Sequence, residues 1–261
     1  MPLTDYQAVV ARLLSENRTF DSYLAGGAAI LIEPNTTRFS RDLDYFHDSE
    51  ARVAEAFAAD RALLERRKFA VDVDLNQPGY VRAVVSKSGN ATKVEWARDS
   101  AWRFMPTQRD ERVGFVLHPV DLAVNKVLAL AGRDEARDVL DAVDLHRRVL
   151  ALGALCWAAC GKDPGFTPLS LLDLLRRRGR VHEEDLERLD LARPIDLRAL
   201  KQEWLEALDS VEGFVASRPP EEIGCLYYSA SRRSFVDPRE AADSVPHFGR
   251  PGGVLPRIAD P

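Results

Sequence analysis

The sequence has little cysteine, no long apolar run and no excess of positive charge, and each shortage removes a class of protein. Cys156, Cys160 and Cys225 are too few and too irregularly spaced for a disulfide framework or a structural zinc site. Cys156 and Cys160 stand four apart in an apolar run, as two buried thiols on one helix would. No uninterrupted apolar stretch approaches the ~20 residues of a membrane span. The first residues carry neither a basic start nor an apolar core, so no signal peptide is read there, and a cytoplasmic protein without a membrane partner is expected. With a net charge of −5, the chain is not a polycation, and any nucleic-acid contact has to come from a local basic face. His47, His118, His146, His182 and His247 show no metal-ligand spacing and no nucleophile beside them. There is no internal repeat.

What is present suffices for a sizeable core, since 46% of the 261 residues are hydrophobic. Apolar spacing predicts a first helix over Tyr6–Asn17, a buried strand over Phe20–Ala25 closed by Gly26 and Gly27, and a helix from Ala28 that Pro34 and Asn35 should stop. Alternation predicts a strand over Asp42–His47. Ser49 caps a helix over Glu50–Arg67. Strands are expected at Ala70–Leu75, Tyr80–Ser86, Thr92–Trp96 and Val113–Leu117. Helices are expected at 119–131, 134–150, 153–160, 168–178, 182–190 and 196–213, then a hairpin over Ile223–Ser229 and Ser234–Val236. The expected fold is α+β: a mixed sheet flanked by helices over residues 1–118, a mostly helical lobe over 119–240, and a flexible Pro- and Gly-bearing tail over 241–261.

The informative chemistry lies in the strand Asp42–His47. Residues two apart on a strand share a face, so Asp42 and Asp44 project together while Leu43 faces the core. Adjacent carboxylates repel unless neutralised, and Mg²⁺ is typically held by one or two carboxylates plus substrate phosphates. Glu95, between Val94 and Trp96, has the pattern of a third acid on a neighbouring strand, which would complete a phosphoryl-transfer site. Gly26 and Gly27 follow a strand and open a helix, where backbone N–H groups can approach phosphate oxygens. Ser40 adds a hydroxyl, and Arg38 and Arg41 add positive charge.

Gly26-Gly27, a short helix and then Ser40-x-Asp42-x-Asp44 resemble the signature of the DNA-polymerase-β-like nucleotidyltransferase superfamily. The longer runs from Leu24 to Ala29 and from Arg38 to Phe46 resemble, more narrowly, the AbiEii/AbiGii family, which includes the MenT-type toxins of toxin–antitoxin pairs. The resemblance is close over Tyr23–His47 and weaker over Thr92–Trp96 and Val120–Leu145. It implies a nucleotidyltransferase fold and transfer of a nucleoside monophosphate from an NTP to an acceptor hydroxyl. It further implies Mg²⁺ or Mn²⁺ on Asp42, Asp44 and Glu95, an RNA acceptor such as a tRNA 3′ end, and a cognate antitoxin. The family pattern continues with a lysine on a helix and an Arg-Asp-x-x-Asp element, matched here by Lys126 and by Arg137, Asp138 and Asp141. Lys126 and one of Asp138 and Asp141 are implied as catalytic, with Lys126 and Arg137 toward the nucleotide. This sequence departs from the pattern in two places: Ala28 stands where a threonine commonly follows the glycines, and the third acid is Glu95 rather than an aspartate.

Spacing alone leaves alternatives open. Lys126, Arg133 and Arg137 share a helix face if the helix continues past Gly132, but with Asp138 and Asp141 they also fit ion pairs on an exposed helix. Arg147, Arg148, Arg176, Arg177, Arg178 and Arg180 form either a basic face for RNA phosphates or solvated helix ends. Two other functions stand beside the first: the same chemistry on a protein or small-molecule acceptor, and a non-catalytic binding module with the same fold.

Overall fold

The structure is a computed structural model and describes residues 3–30, 32 and 36–257. The helix stop expected at Pro34 and Asn35 lies outside the described residues. The chain divides into two compact units, one of residues 1–101, 106–118 and 190–193, the other of 102–105, 119–189 and 194–261.

The first unit opens with α1 (Asp5–Leu14), started by a capping box in which the Thr4 hydroxyl accepts from the Gln7 N–H and the Gln7 side chain accepts from the Thr4 N–H. The helix ends at Leu14, and the turn Ser15–Asn17 that follows is 3₁₀. Then come β1 (Ser22–Ala25), α2 (Gly26–Ile30), β2 (Asp42–His47), and α3 (Glu50–Arg66) capped by Ser49. β3 (Ala70–Gln77), β4 (Tyr80–Lys87) and β5 (Asn90–Arg98) form a meander. After β6 (Trp102–Arg103), which belongs to the second unit, β7 (Gln108–Asp110) and β8 (Gly114–Val116) complete a seven-stranded mixed sheet. Its order is β3-β4-β5-β2-β1-β8-β7. The pairs β2/β5 and β1/β8 are parallel and the others antiparallel.

One face of this sheet is covered by helix. Val81, Ala83, Val85, Leu43, Tyr45, Val94 and Trp96 alternate onto it and are buried. Phe57 of α3 meets the Trp96 ring edge-on at 5.1 Å between centroids. Each such large apolar side chain contributes about 1.5–3 kcal/mol by leaving water.

A polar cluster that the sequence does not announce sits within this layer. Asp60 of α3 is fully buried and accepts from Arg18 at 2.5 and 2.6 Å, from Trp96 Nε1 at 2.7 Å and from Asn17 at 2.9 Å. The Arg18 guanidinium also lies over the Tyr45 ring, 4.5 Å from its centroid. The central strands β2 and β5 are thus anchored from behind through Tyr45 and Trp96. Their other side chains, Asp42, Asp44 and Glu95 among them, are left for the opposite face.

The second unit holds α4 (Pro119–Gly132), α5 (Ala136–Arg148), α6 (Leu152–Lys162), α7 (Pro168–Arg178), α8 (Glu183–Glu187) and α9 (Leu197–Ala216). Every residue of α6 from Leu152 to Cys160 is buried, as expected of a helix apolar all round, and Cys156 and Cys160 are free thiols there. Then β9 (Cys225–Ser229) pairs with β10 (Ser234–Phe235), in the region of the expected hairpin.

The region from 241 differs from the expected loose tail. β11 (Ser244–Phe248) runs antiparallel along the other edge of β9, and β12 (Arg250–Pro251) pairs with β6. The pairing is by backbone, and Pro246 and His247 break the side-chain alternation that would announce a strand. His247 is buried, with Nε2 3.0 Å from the Phe104 carbonyl oxygen. Asp121, in the first turn of α4, accepts from the Phe104 and Met105 N–H groups and fixes the segment after β6. Among the described residues no helix is long and apolar enough to cross a membrane.

Candidate active site

The register of β2 against β5 builds the site. Parallel pairing sets Asp44 opposite Glu95 and Asp42 opposite Lys93. The two-residue period then puts all four on the sheet face away from Trp96 and Tyr45. Carboxylate oxygens of Asp42, Asp44 and Glu95 lie within 4.8 Å of one another, close enough to share one divalent cation. Among the described residues this is the one group of three or more His, Cys, Asp or Glu side chains so placed. The donor set is all oxygen, which suits Mg²⁺ or Mn²⁺ and not a thiolate- or imidazole-seeking metal.

Two cations belong to the cluster. Lys93 Nζ is 3.1 Å from Asp42 Oδ2 and 3.2 Å from Glu95 Oε1. Arg82, next to Glu95 on β4, donates from Nε to Glu95 Oε1 at 3.0 Å and from Nη2 to the Tyr80 hydroxyl at 2.7 Å. Partial burial and the neighbouring Glu95 carboxylate push the Tyr80 phenol up to about 12, so it stays protonated at neutral pH.

The glycine pair explains itself in space. Gly26 has φ +59°, and a Cβ there would fall 2.0 Å from Asp44 Oδ2. Asp44 can therefore reach its place only over a bare Cα. A Cβ on Gly27 would lie 2.9 Å from the Arg38 guanidinium and 3.4 Å from Ser40 Oγ, so Arg38 and Ser40 converge on that residue. Arg38 is buried, and Ser40 donates to the Asp42 carbonyl oxygen at 2.9 Å while Gln7 of α1 donates to the Ser40 carbonyl at 3.1 Å. Gln7 thus ties the capping box to the loop before β2. Arg41 differs from the expectation that it adds charge beside the glycines: it is exposed and paired with Asp190 at 3.2 Å. Gly26→Ala is expected to cost about 1–3 kcal/mol, because strain at positive φ adds to the collision with Asp44. A urea-unfolding midpoint equal to wild type would contradict this close approach.

The second constellation lies in the helical unit, where Lys126, Asp138 and Asp141 are buried, Arg137 is half-buried and Arg133 is exposed. Lys126 of α4 is 6% exposed and its Nζ lies 2.7 Å from Asp138 Oδ1 and 2.9 Å from Asp141 Oδ2 of α5. Arg133 donates to the two Asp138 oxygens at 2.6 and 3.2 Å. Burial alone would raise the Asp138 carboxyl, but Lys126 and Arg133 hold it down at about 2. Arg137 lies at the start of the same helix, 3.9 Å from Glu135.

Several of the arginines left open between a basic face and solvated helix ends are engaged within the unit. Arg147 pairs with Glu203, Arg148 with Asp144 and Arg176 with Glu212, and Arg178 donates to the Ala131 carbonyl at the end of α4. Burial, with Arg18 nearby, lowers His47 to about 3, and burial lowers His118 to about 4, so both imidazoles are neutral at neutral pH.

A mixed sheet that sets two acids of one strand beside a third on its parallel neighbour, next to a glycine-opened helix, is an α+β fold of the nucleotidyltransferase type. Among solved structures the chain is similar to MenT4, a nucleotidyltransferase toxin from Mycobacterium tuberculosis H37Rv, with a TM-score of 0.57 and 17% identity over 83% of each chain. It is also similar to JHP933 from Helicobacter pylori, with a TM-score of 0.49 and 15% identity over 82% of this chain and 97% of that one. The first of these likenesses bears on the fold. No family model matches the sequence, and no curated protein matches it.

Proposed function

We propose that this protein is a metal-dependent nucleotidyltransferase that moves a nucleoside monophosphate from an NTP to an acceptor hydroxyl, releasing pyrophosphate. The observation that carries the reading is the convergence of Asp42, Asp44 and Glu95 on the open face of the sheet, beside Gly26 and Gly27. In this reading the three carboxylates hold Mg²⁺ or Mn²⁺, which when bound supplies charge neutralisation at the transferring phosphoryl group. The Gly27 N–H donates to a phosphate oxygen, the Ser40 hydroxyl does so by turning from the Asp42 carbonyl that it meets in this structure, and buried Arg38 adds a fixed positive charge. Glu95, held by Arg82, accepts the proton of the attacking hydroxyl. Lys126 and Arg137 serve the nucleotide phosphates and Asp138 or Asp141 the acceptor, roles that rest on the family resemblance.

An RNA acceptor, a tRNA 3′ end first among them, follows from the same resemblance, with growth arrest as consequence and a cognate antitoxin as partner. Incubation with each of four α-³²P-labelled NTPs, total tRNA and a protein extract is expected to place label in the RNA fraction with Mg²⁺ or Mn²⁺ present. Label confined to protein would overturn the RNA acceptor and keep the chemistry. No label in any fraction, from protein that binds metal and NTP, would favour a non-catalytic module.

A further inference from the structure

One cation of the protein's own, Lys93, lies against two of the three acids at once. We propose that Lys93 is a built-in counter-cation of the acidic site, one that a divalent metal must displace in order to bind. This deepens the reading of Asp42, Asp44 and Glu95 as metal ligands and rests on it.

The geometry leaves Lys93 and a metal in competition. Parallel register places Lys93 opposite Asp42, and strand periodicity places it on the same face as Glu95 two residues later. Its Nζ bridges the two, 3.1 Å from Asp42 Oδ2 and 3.2 Å from Glu95 Oε1. Those carboxylates belong to the set whose oxygens lie within 4.8 Å of one another. A metal on that set would sit about 2.0–2.1 Å from its oxygens. An ammonium ~3 Å from two of the same carboxylates would then stand a few ångströms from a divalent charge, and like charges at that separation repel even in water.

Lys93 also has somewhere to go. Its side chain is 36% exposed, against 6% for Lys126, which is closed in by two acids. When Lys93 leaves, Arg82 remains on Glu95 from the β4 side and holds that carboxylate in place. Lys93 therefore has two opposed effects. Without metal it offsets the mutual repulsion of the acids and keeps β2 and β5 in register. With metal it is the group to be expelled, so it sets the concentration at which the site fills. Once displaced, a long flexible cation stands at the rim of a site that would receive a polyanion.

The test is direct metal binding by metal-stripped, full-length protein. Mn²⁺ titrations followed by electron paramagnetic resonance compare wild type, Lys93→Met, Lys93→Gln and Asp44→Ala, with thermal unfolding measured with and without Mg²⁺. Both Lys93 variants are expected to bind Mn²⁺ roughly tenfold more tightly, the scale of removing one unit charge beside a divalent ion. They should melt lower than wild type without metal and gain more from Mg²⁺. Equal or weaker Mn²⁺ binding by the Lys93 variants, with binding lost in Asp44→Ala, would overturn the role of Lys93 and leave the metal site standing. Unaltered binding in Asp44→Ala would instead overturn the metal site. Should neither variant fold, acetyl-lysine installed at position 93 of the full-length chain supplies the answer: tighter Mn²⁺ binding than wild type is expected, and equal or weaker binding contradicts displacement.

Discussion

Asp44→Ala is expected to lower nucleotidyl transfer by a factor on the order of 10³ or more while the protein stays folded. The two halves of that expectation come from different parts of the structure. Activity falls because Asp44 is the middle member of the triad: it shares strand β2 with Asp42, lies opposite Glu95, and packs against the bare Cα of Gly26. Stability survives because the truncation removes one of three crowded carboxylates, on the face opposite the buried layer of Tyr45, Trp96 and Asp60. Thermal unfolding is therefore expected at or slightly above the wild-type temperature. A variant that loses activity only because it unfolds would show Asp44 to be structural and would sink this assignment.

Lys126→Ala is expected to do the reverse and destabilise the protein by about 3–5 kcal/mol, since it leaves buried carboxylates without their ammonium. Asp138 and Asp141 are both essentially inaccessible and both within 3 Å of Nζ, with Arg133 the further partner of Asp138. Loss of activity in this variant is thus expected to come with loss of fold, and it does not by itself demonstrate a catalytic lysine. The same cluster gives a pH signature. Asp138 titrates at about 2 in the folded protein, below the ~3.9 of an unpaired aspartate. A lowered folded pKa contributes stability that is complete above pH ~4 and is lost as pH falls from ~4 toward ~2. Wild type should lose stability steeply over that window, and Lys126→Ala less steeply. Urea unfolding at pH 7 and pH 3 measures both, and a loss under 1 kcal/mol at pH 7 would contradict the cluster's structural weight.

The contrast between these two sites shows what the sequence could and could not disclose. Asp42, Asp44 and Glu95 are legible because strand periodicity alone puts each acid opposite its apolar neighbours, and the glycine pair is legible because a tight, Cβ-free approach requires that residue. Lys93 stands in plain view beside Glu95, but its role depends on β2 lying parallel to β5 in one register, which no local pattern records. Arg18 and Asp60 look like ordinary surface charges at a helix end and in mid-helix. Only the packing of α3 on β2 and β5 turns them into a buried pair holding Trp96. Spacing leaves Lys126, Asp138 and Asp141 open between a surface row and a site, and tertiary packing of α4 on α5 makes them a buried cluster. The strands at Ser244–Phe248 and Arg250–Pro251 escape notice because Pro and Gly interrupt any period, and backbone pairing needs none.

The claim that matters most is the kind of bond broken at Asp42, Asp44 and Glu95. Parallel reactions with NTP labelled at the α or the γ phosphate, in Mg²⁺ and with total tRNA as acceptor, test it most directly. The α label is expected joined to the acceptor and the γ label released as pyrophosphate, with neither outcome in Asp44→Ala. Transfer of the γ label to the acceptor, or turnover unaffected by Asp44→Ala, would contradict it.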